Sequence, residues 1–356
     1  MVRKLLVLIA GLILFTLQPV LADQLVNDTQ DLSKIINNAY LYEDQFNGIK
    51  IKVYLLKKDQ TLASSYIEYT KNYLREYVEL LGDFPYEELN IMETNSPVGM
   101  SYPKYIVFGS AVIRLPFILT TSLPHEIVHQ WFGAEVDIDY SSGNWAEGLT
   151  TYLSDYLLSE KKGKAAEYRK RLLLDYRNYV TREDEITLSE FKARKNDLTK
   201  AIGYGKSAML FHMLRRDIGD EAFFKTLRLF IKENKNRKAS WADLEKAFES
   251  TTGQDLSAFF EQWLNRKGAI EITPVEASVV FRDGKYRVDI RVKQKTKEPF
   301  SFYLPVKAVT KEAERDFTIK VDKKDFWIRL SLEERPREVI LDHEYDLFRI
   351  PLEDEV

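Results

Sequence analysis

The stretch His125-Glu126-Ile127-Val128-His129-Gln130-Trp131-Phe132-Gly133 decides how this chain is read. The chain holds four histidines, and two of them stand four residues apart around a glutamate. On an α-helix, positions i and i+4 share a face one turn apart, so both imidazoles can reach one metal ion. Glu126 then lies close enough to act as a base toward a water at that ion. The competing reading is a polar helix face that holds no metal. Pro124 precedes His125 directly. Proline is tolerated in the first turn of a helix and not in its middle, so the helix starts near Ser122 or is kinked there.

Zinc at a hydrolytic site takes three protein ligands and keeps one position open. Two ligands therefore require a third. Asn144-Trp145-Ala146-Glu147-Gly148 opens the next predicted helix, after the seventeen residues 130–146 that follow His129. A glutamate in that first turn can face the histidine helix across an antiparallel pair. The alternative for Glu147 is a helix N-terminal acid favoured by the dipole.

Working outward, residues 48–116 read as a small α+β unit. Ile49–Leu56 alternates as a strand does, Leu62–Leu81 carries apolar residues at helical spacing before Gly82, and 90–93 and 105–108 are short strands. A turn is expected at Ser96-Pro97, and residues 24–47 give little signal. From 117 to 267 the pattern is almost all helix, with candidates at 122–132, 146–160, 164–181, 204–217, 220–233, 240–250 and 255–265. After Gly268 the texture changes to alternating segments at 269–281, 285–294, 300–309, 316–321, 325–332 and 336–342. These predict an immunoglobulin-like β-sandwich over 268–356.

The 356 residues leave room for two or three domains. A net charge of -3 with no basic block speaks against nucleic acid or an anionic membrane surface as partner. The absence of cysteine excludes disulfides, a thiol nucleophile and a lipidated N-terminal cysteine. Residues 1–22 read as an export signal. Arg3 and Lys4 are followed by the uncharged run Leu5–Leu17, then by Pro19 and Val20-Leu21-Ala22. Cleavage after Ala22 gives a periplasmic or extracellular protein outside the membrane. An uncleaved anchor is the other expectation, because the apolar run stretches to Leu21.

His125–Gly133 with Asn144–Gly148 resembles the zinc aminopeptidases of the gluzincin clan, the family of membrane alanyl aminopeptidase and leukotriene hydrolase. The spacing from His129 to Glu147 is one residue shorter than in the family, and a Trp-Ala pair stands between Asn144 and Glu147. Phe84–Asn90 is similar to the segment ahead of the family's substrate loop. Tyr204-Gly205-Lys206-Ser207 is similar to its Tyr-x-Lys-Gly, whose tyrosine stabilises the tetrahedral intermediate. The resemblance implies a thermolysin-like, mainly helical catalytic domain (23–267) followed by the β-sandwich, an α+β fold. It implies one Zn2+ per chain on His125, His129 and Glu147, with Glu126 and Tyr204 catalytic and a peptide or protein as substrate. Asp155 and Thr151 are both candidates to support a zinc histidine.

Two departures qualify this. The family's Gly-x-Met-Glu-Asn loop grips the substrate's free α-amine through its glutamate. Here Val98-Gly99-Met100-Ser101-Tyr102-Pro103 places a serine there, and a hydroxyl pairs less strongly than a carboxylate with an ammonium group. Gly99, Met100 and Ser101 are expected to pair with the substrate backbone. The chain also lacks room for the family's N-terminal β-domain and C-terminal helical cap. The expectation is an exported metallopeptidase with a relaxed requirement for a free N-terminus. The alternative is a non-catalytic peptide-binding module on a peptidase scaffold.

Overall fold

The computed structural model describes residues 36–95, 99–352 and 355. The export segment and the Ser96-Pro97 turn lie outside the described residues.

The chain first builds a five-stranded sheet. Strand β1 (Tyr40–Phe46) lies in the region that the sequence left without signal. It turns into β2 (Ile49–Leu55) through Asn47 (φ 46°) and Gly48 (φ 84°). Two consecutive left-handed residues are what a two-residue hairpin needs, and Asn-Gly meets that need at low cost. With β3 (Glu88–Thr94), β4 (Gly99–Tyr102) and β5 (Tyr105–Gly109) the order is β1-β2-β3-β5-β4. β2, β3 and β5 run parallel, while β1 and β4 are antiparallel edges. The helix α1 (Gln60–Leu81) starts where the Asp59 side chain accepts from the Leu62 N–H. Its Tyr66, Leu74 and Tyr77 share one core with Ile51, Leu89 and Phe108 of the sheet.

The helical part follows. Helix α2 (Ser122–Val128) is buried along its whole length and begins at Ser122, which leaves Pro124 in its first turn. A two-stranded ribbon, β6 (Asp137–Ile138) with β7 (Lys238–Ala239), ties the loop after α2 to a later connection. Helix α3 (146–161) and helix α5 (197–218) each contain a π-helical stretch, Tyr152–Tyr156 and Ala201–Lys206. Between them lies α4 (Ala165–Tyr179), and after them α6 (Asp220–Asn234), α7 (Trp241–Thr252) and α8 (Ser257–Asn265). Helix α5 begins at Asp197 rather than at 204, because Asn196 and Thr199 form a capping box there.

Strands β8 (Ile272–Arg282), β9 (Lys285–Gln294), β10 (Phe302–Val309), β11 (Glu314–Val321), β12 (Asp325–Leu332) and β13 (Glu338–Leu341) form two antiparallel sheets, β12-β9-β8 and β11-β10-β13. The expected sandwich is present, and its core is continuous with that of the helices. Trp263 of α8 stacks on Phe300 at 5.2 Å, and Arg169 of α4 donates to the Glu344 carbonyl. Among the described residues no helix is long and apolar enough to cross a membrane.

Candidate metal centre

Helix α2 sets the two histidines one turn apart, and their rings meet edge to face with centroids 4.9 Å apart. The α-helical bonding ends at His129, after which the chain tightens into successive turns. That ending leaves the Phe132 carbonyl available, and it lies 2.9 Å from His129 Nδ1. The outer nitrogen is thereby committed, and Nε2 faces inward.

Glu147 stands in the first turn of α3, as the sequence predicts, and its Oε2 is 3.5 Å from Nε2 of both His125 and His129. The three donor atoms lie within 4.8 Å of one another, and all three side chains are buried. The glycine after Glu147 has a steric reason. A Cβ on Gly148 would stand 1.8 Å from Ser207 Oγ and 2.2 Å from Ser207 Cβ. Only a residue without Cβ lets α3 lie this close to α5. This crossing brings Glu147 beside Tyr204.

The π-helical stretch of α3 resolves the choice between Asp155 and Thr151. In a regular helix eight residues rotate by about 800°, leaving Asp155 roughly 80° off the face of Glu147. The wider turn takes up about one extra residue, so Asp155 returns close to that face. Its Oδ2 lies 3.5 Å from His125 Nδ1, the distance of an ion pair rather than of a short hydrogen bond. Thr151 instead donates to the Glu147 carbonyl of its own helix. Thr150, which the sequence reading passed over, has its hydroxyl 3.4 Å from His129 Nδ1.

Tyr204 sits in the π-helical stretch of α5 with its ring nearly parallel to that of His125, 12° between planes and 6.3 Å between centroids. Lys206, two residues on, is buried and donates to the carbonyls of Arg266 and Gly268. It thus ties the Tyr204 turn to the passage into the sandwich. Gly203 admits the ring of Phe191 against the helix backbone.

The electrostatics follow from burial and crowding. Burial pushes the Glu126 carboxyl up, and His129 and His125 offset this in part. Burial acts on Glu147 in the same sense, but the two imidazoles outweigh it and hold that carboxyl well below the usual range. Burial opposes a charge on His125, yet Asp155 and Glu147 outweigh it and lift the imidazole to about 10. The carboxylates that favour a proton on this imidazole equally favour a divalent cation between the nitrogens. Burial, then the Glu147 carboxylate, raises Tyr204 well above its ordinary value, so its hydroxyl stays a donor.

Strand β4 borders the centre. Gly99, Met100 and Ser101 lie on the outermost strand of the sheet. The Ser101 hydroxyl donates to the Glu126 carbonyl at 3.0 Å and accepts from Gln130 Nε2 at 2.5 Å. Gln130 also donates to the Tyr102 carbonyl and accepts from the Lys104 N–H. The sequence marked Gln130 only as part of a motif. In the structure it laces β4 to the end of α2.

Residues 118–263 match the model of the peptidase family M1 domain. The chain is 28% identical over 173 residues to mitochondrial aminopeptidase 2 of Saccharomyces cerevisiae, which covers 46% of this chain and 18% of that protein. It is 27% identical over 153 residues to aminopeptidase N of Lactococcus lactis, covering 40% of this chain and 18% of that protein. In these alignments the chain spans about a fifth of the relatives' length. Its fold is similar to that of aminopeptidase A of Legionella pneumophila in complex with aspartic acid. The TM-score is 0.66 at 19% identity, over 87% of this chain and 37% of that one.

Proposed function

We propose, from the match of residues 118–263 to the model of the peptidase family M1 domain, that the chain is an exported zinc-dependent metallopeptidase with a relaxed requirement for a free N-terminus. The observation that carries this reading is the convergence of two imidazole Nε2 atoms and the Glu147 carboxylate within 4.8 Å. Nitrogen and oxygen donors in a set of three suit zinc at a hydrolytic site. Both outer imidazole nitrogens face oxygen acceptors, which directs the Nε2 lone pairs inward. His125, His129 and Glu147 would therefore hold one Zn2+ per chain.

Bound zinc supplies Lewis acidity toward the peptide carbonyl and acidifies water. Glu126 takes the proton of the attacking water and delivers it to the leaving amine, a double role that its burial-raised carboxyl suits. Tyr204 donates to the carbonyl oxygen as negative charge develops there. The outer edge of β4, with Gly99, Met100 and Ser101, receives the substrate backbone as a further strand.

The relaxed terminus rests on what surrounds β4. An α-ammonium group beside the metal needs an anion to offset desolvation and repulsion. Ser101 provides none, and its hydroxyl already serves the Glu126 carbonyl. Glu93 is buried and engaged with Arg114. Export rests on Arg3, Lys4 and the apolar run ending before Ala22. In this reading 23–267 is the catalytic unit and 268–356 the sandwich.

The test is one peptide offered with a free and with an acetylated N-terminus to the zinc-loaded protein. Cleavage of both, abolished by a chelator and restored by zinc, supports the proposal. Cleavage of the free form alone overturns the relaxed terminus, and cleavage of neither overturns the peptidase.

A further inference from the structure

Strand β8 has one neighbour, β9, so its other edge is unpaired among the described residues. Every residue from Pro274 to Arg282 is exposed. The register places Ala277, Val279 and Phe281 opposite Ile290, Val288 and Tyr286, on the face turned toward the second sheet. Val288 and Ile290 are buried there, yet Val279 is 45% and Phe281 61% exposed. β8 therefore overhangs the opposite sheet, and the apolar side chains at its end are uncovered. A long apolar edge of this kind templates pairing with another strand unless something covers it.

The strand itself specifies what fits. A bulge between Pro274 and Glu276 ends its regular pairing on one side, and the Asp283-Gly284 turn ends it on the other. The regular stretch is Glu276–Arg282, and Val279 is its middle residue. Two copies set antiparallel about a two-fold axis at Val279 bring Glu276 opposite Arg282 and Ala277 opposite Phe281, each twice. Opposite charges facing each other are a favourable cross-strand pair, and the small Ala277 leaves room for the Phe281 ring. Moving the axis to Ser278 sets Glu276 against Val280 and Arg282 against Pro274, and both matches are lost. The register that uses the whole regular strand is also the one with complementary charge.

We propose that β8 is a self-association surface, pairing Glu276–Arg282 of two copies antiparallel about Val279 and joining their β12-β9-β8 sheets across the axis. A two-fold contact uses the same patch on both partners, and this patch satisfies that condition. An interface of one short strand lies at the small end of the known range, so the association is weak and concentration-dependent.

The full chain has no cysteine, which permits a clean test. Val279→Cys places the two thiols face to face on the axis, and mild oxidation gives a covalent dimer. Ala277→Cys leaves them roughly 14 Å apart and gives none. Sedimentation equilibrium of Glu276→Arg and of Arg282→Glu shows an association constant lowered at least tenfold for each, and the double variant restores it. Circular dichroism confirms that each surface variant is folded. A monomer at all concentrations overturns the proposal. So does a dimer indifferent to the single reversals, or equal cross-linking at 277 and 279.

Discussion

The Ser101 hydroxyl donates to the backbone carbonyl of Glu126 at 3.0 Å. It couples the outermost strand of the five-stranded sheet to the residue assigned the proton transfer, and Gln130 doubles that link. Ser101→Ala should lower kcat/KM by about tenfold, the worth of one hydrogen bond of about 1.4 kcal/mol, without changing metal content. The ratio of rates on free and acetylated peptides should stay unchanged, because the hydroxyl is committed to Glu126. Gln130→Leu should cost more, since the Lys104 N–H loses its acceptor at about 1–3 kcal/mol and the bonds to Ser101 and the Tyr102 carbonyl go with it. Steady-state kinetics with metal analysis checks both.

Glu126→Gln should keep the fold and the zinc, because Glu126 is not among the three grouped donors. Turnover should fall by roughly two to four powers of ten, the usual contribution of a positioned base. A variant that turns over like the wild type would remove Glu126 from the mechanism.

Asp155→Asn weakens the acceptor facing His125 Nδ1. Loss of such an outer partner typically costs about 10- to 100-fold in metal affinity. Thr151→Val should leave affinity unchanged, since that hydroxyl bonds its own helix. Glu147→Gln should weaken zinc more than Asp155→Asn, because it removes the only anionic donor of the three. Competition with a chromogenic chelator ranks the three variants.

Tyr204→Phe removes a hydroxyl held in its protonated form beside the Glu147 carboxylate. The expected effect is a fall in kcat on the order of a hundredfold with little change in KM, as for one oxyanion donor. An equal fall in substrate affinity would show that Tyr204 binds the ground state instead.

Gly148→Ala drives a methyl group into Ser207 at the crossing of α3 and α5. Overpacking of this kind costs about 1–3 kcal/mol, and here it also displaces Glu147 from the histidines. Thermal denaturation and zinc affinity should both decline. Gly148→Ala combined with Ser207→Gly should recover part of each, because Ser207 Oγ and Cβ are the nearest obstacles.

The spacing of His125 and His129 was enough to predict one shared face, because the helical repeat is a local property of the backbone. Alternation after Gly268 likewise announced the strands of the sandwich, since a half-buried strand writes its two faces into every second residue. The strand β1 and its Asn47-Gly48 hairpin were not read from the sequence, because 24–47 carries Asn, Asp and Gln with only scattered apolar positions. Glu147 could be nominated from its place in a helix start, but its distance to both imidazoles depends on how closely α3 approaches α2. The choice of Asp155 over Thr151 lay beyond reach for a different reason: regular periodicity places Asp155 off the Glu147 face, and only the π-helical turn over Tyr152–Tyr156 returns it. Ser101 shows the same limit at a single atom. Its serine was visible in the sequence, but its hydroxyl turns toward Glu126 because the sheet lays β4 along α2. Local periodicity determined which elements form, and the close packing of buried helices decided which of their side chains meet.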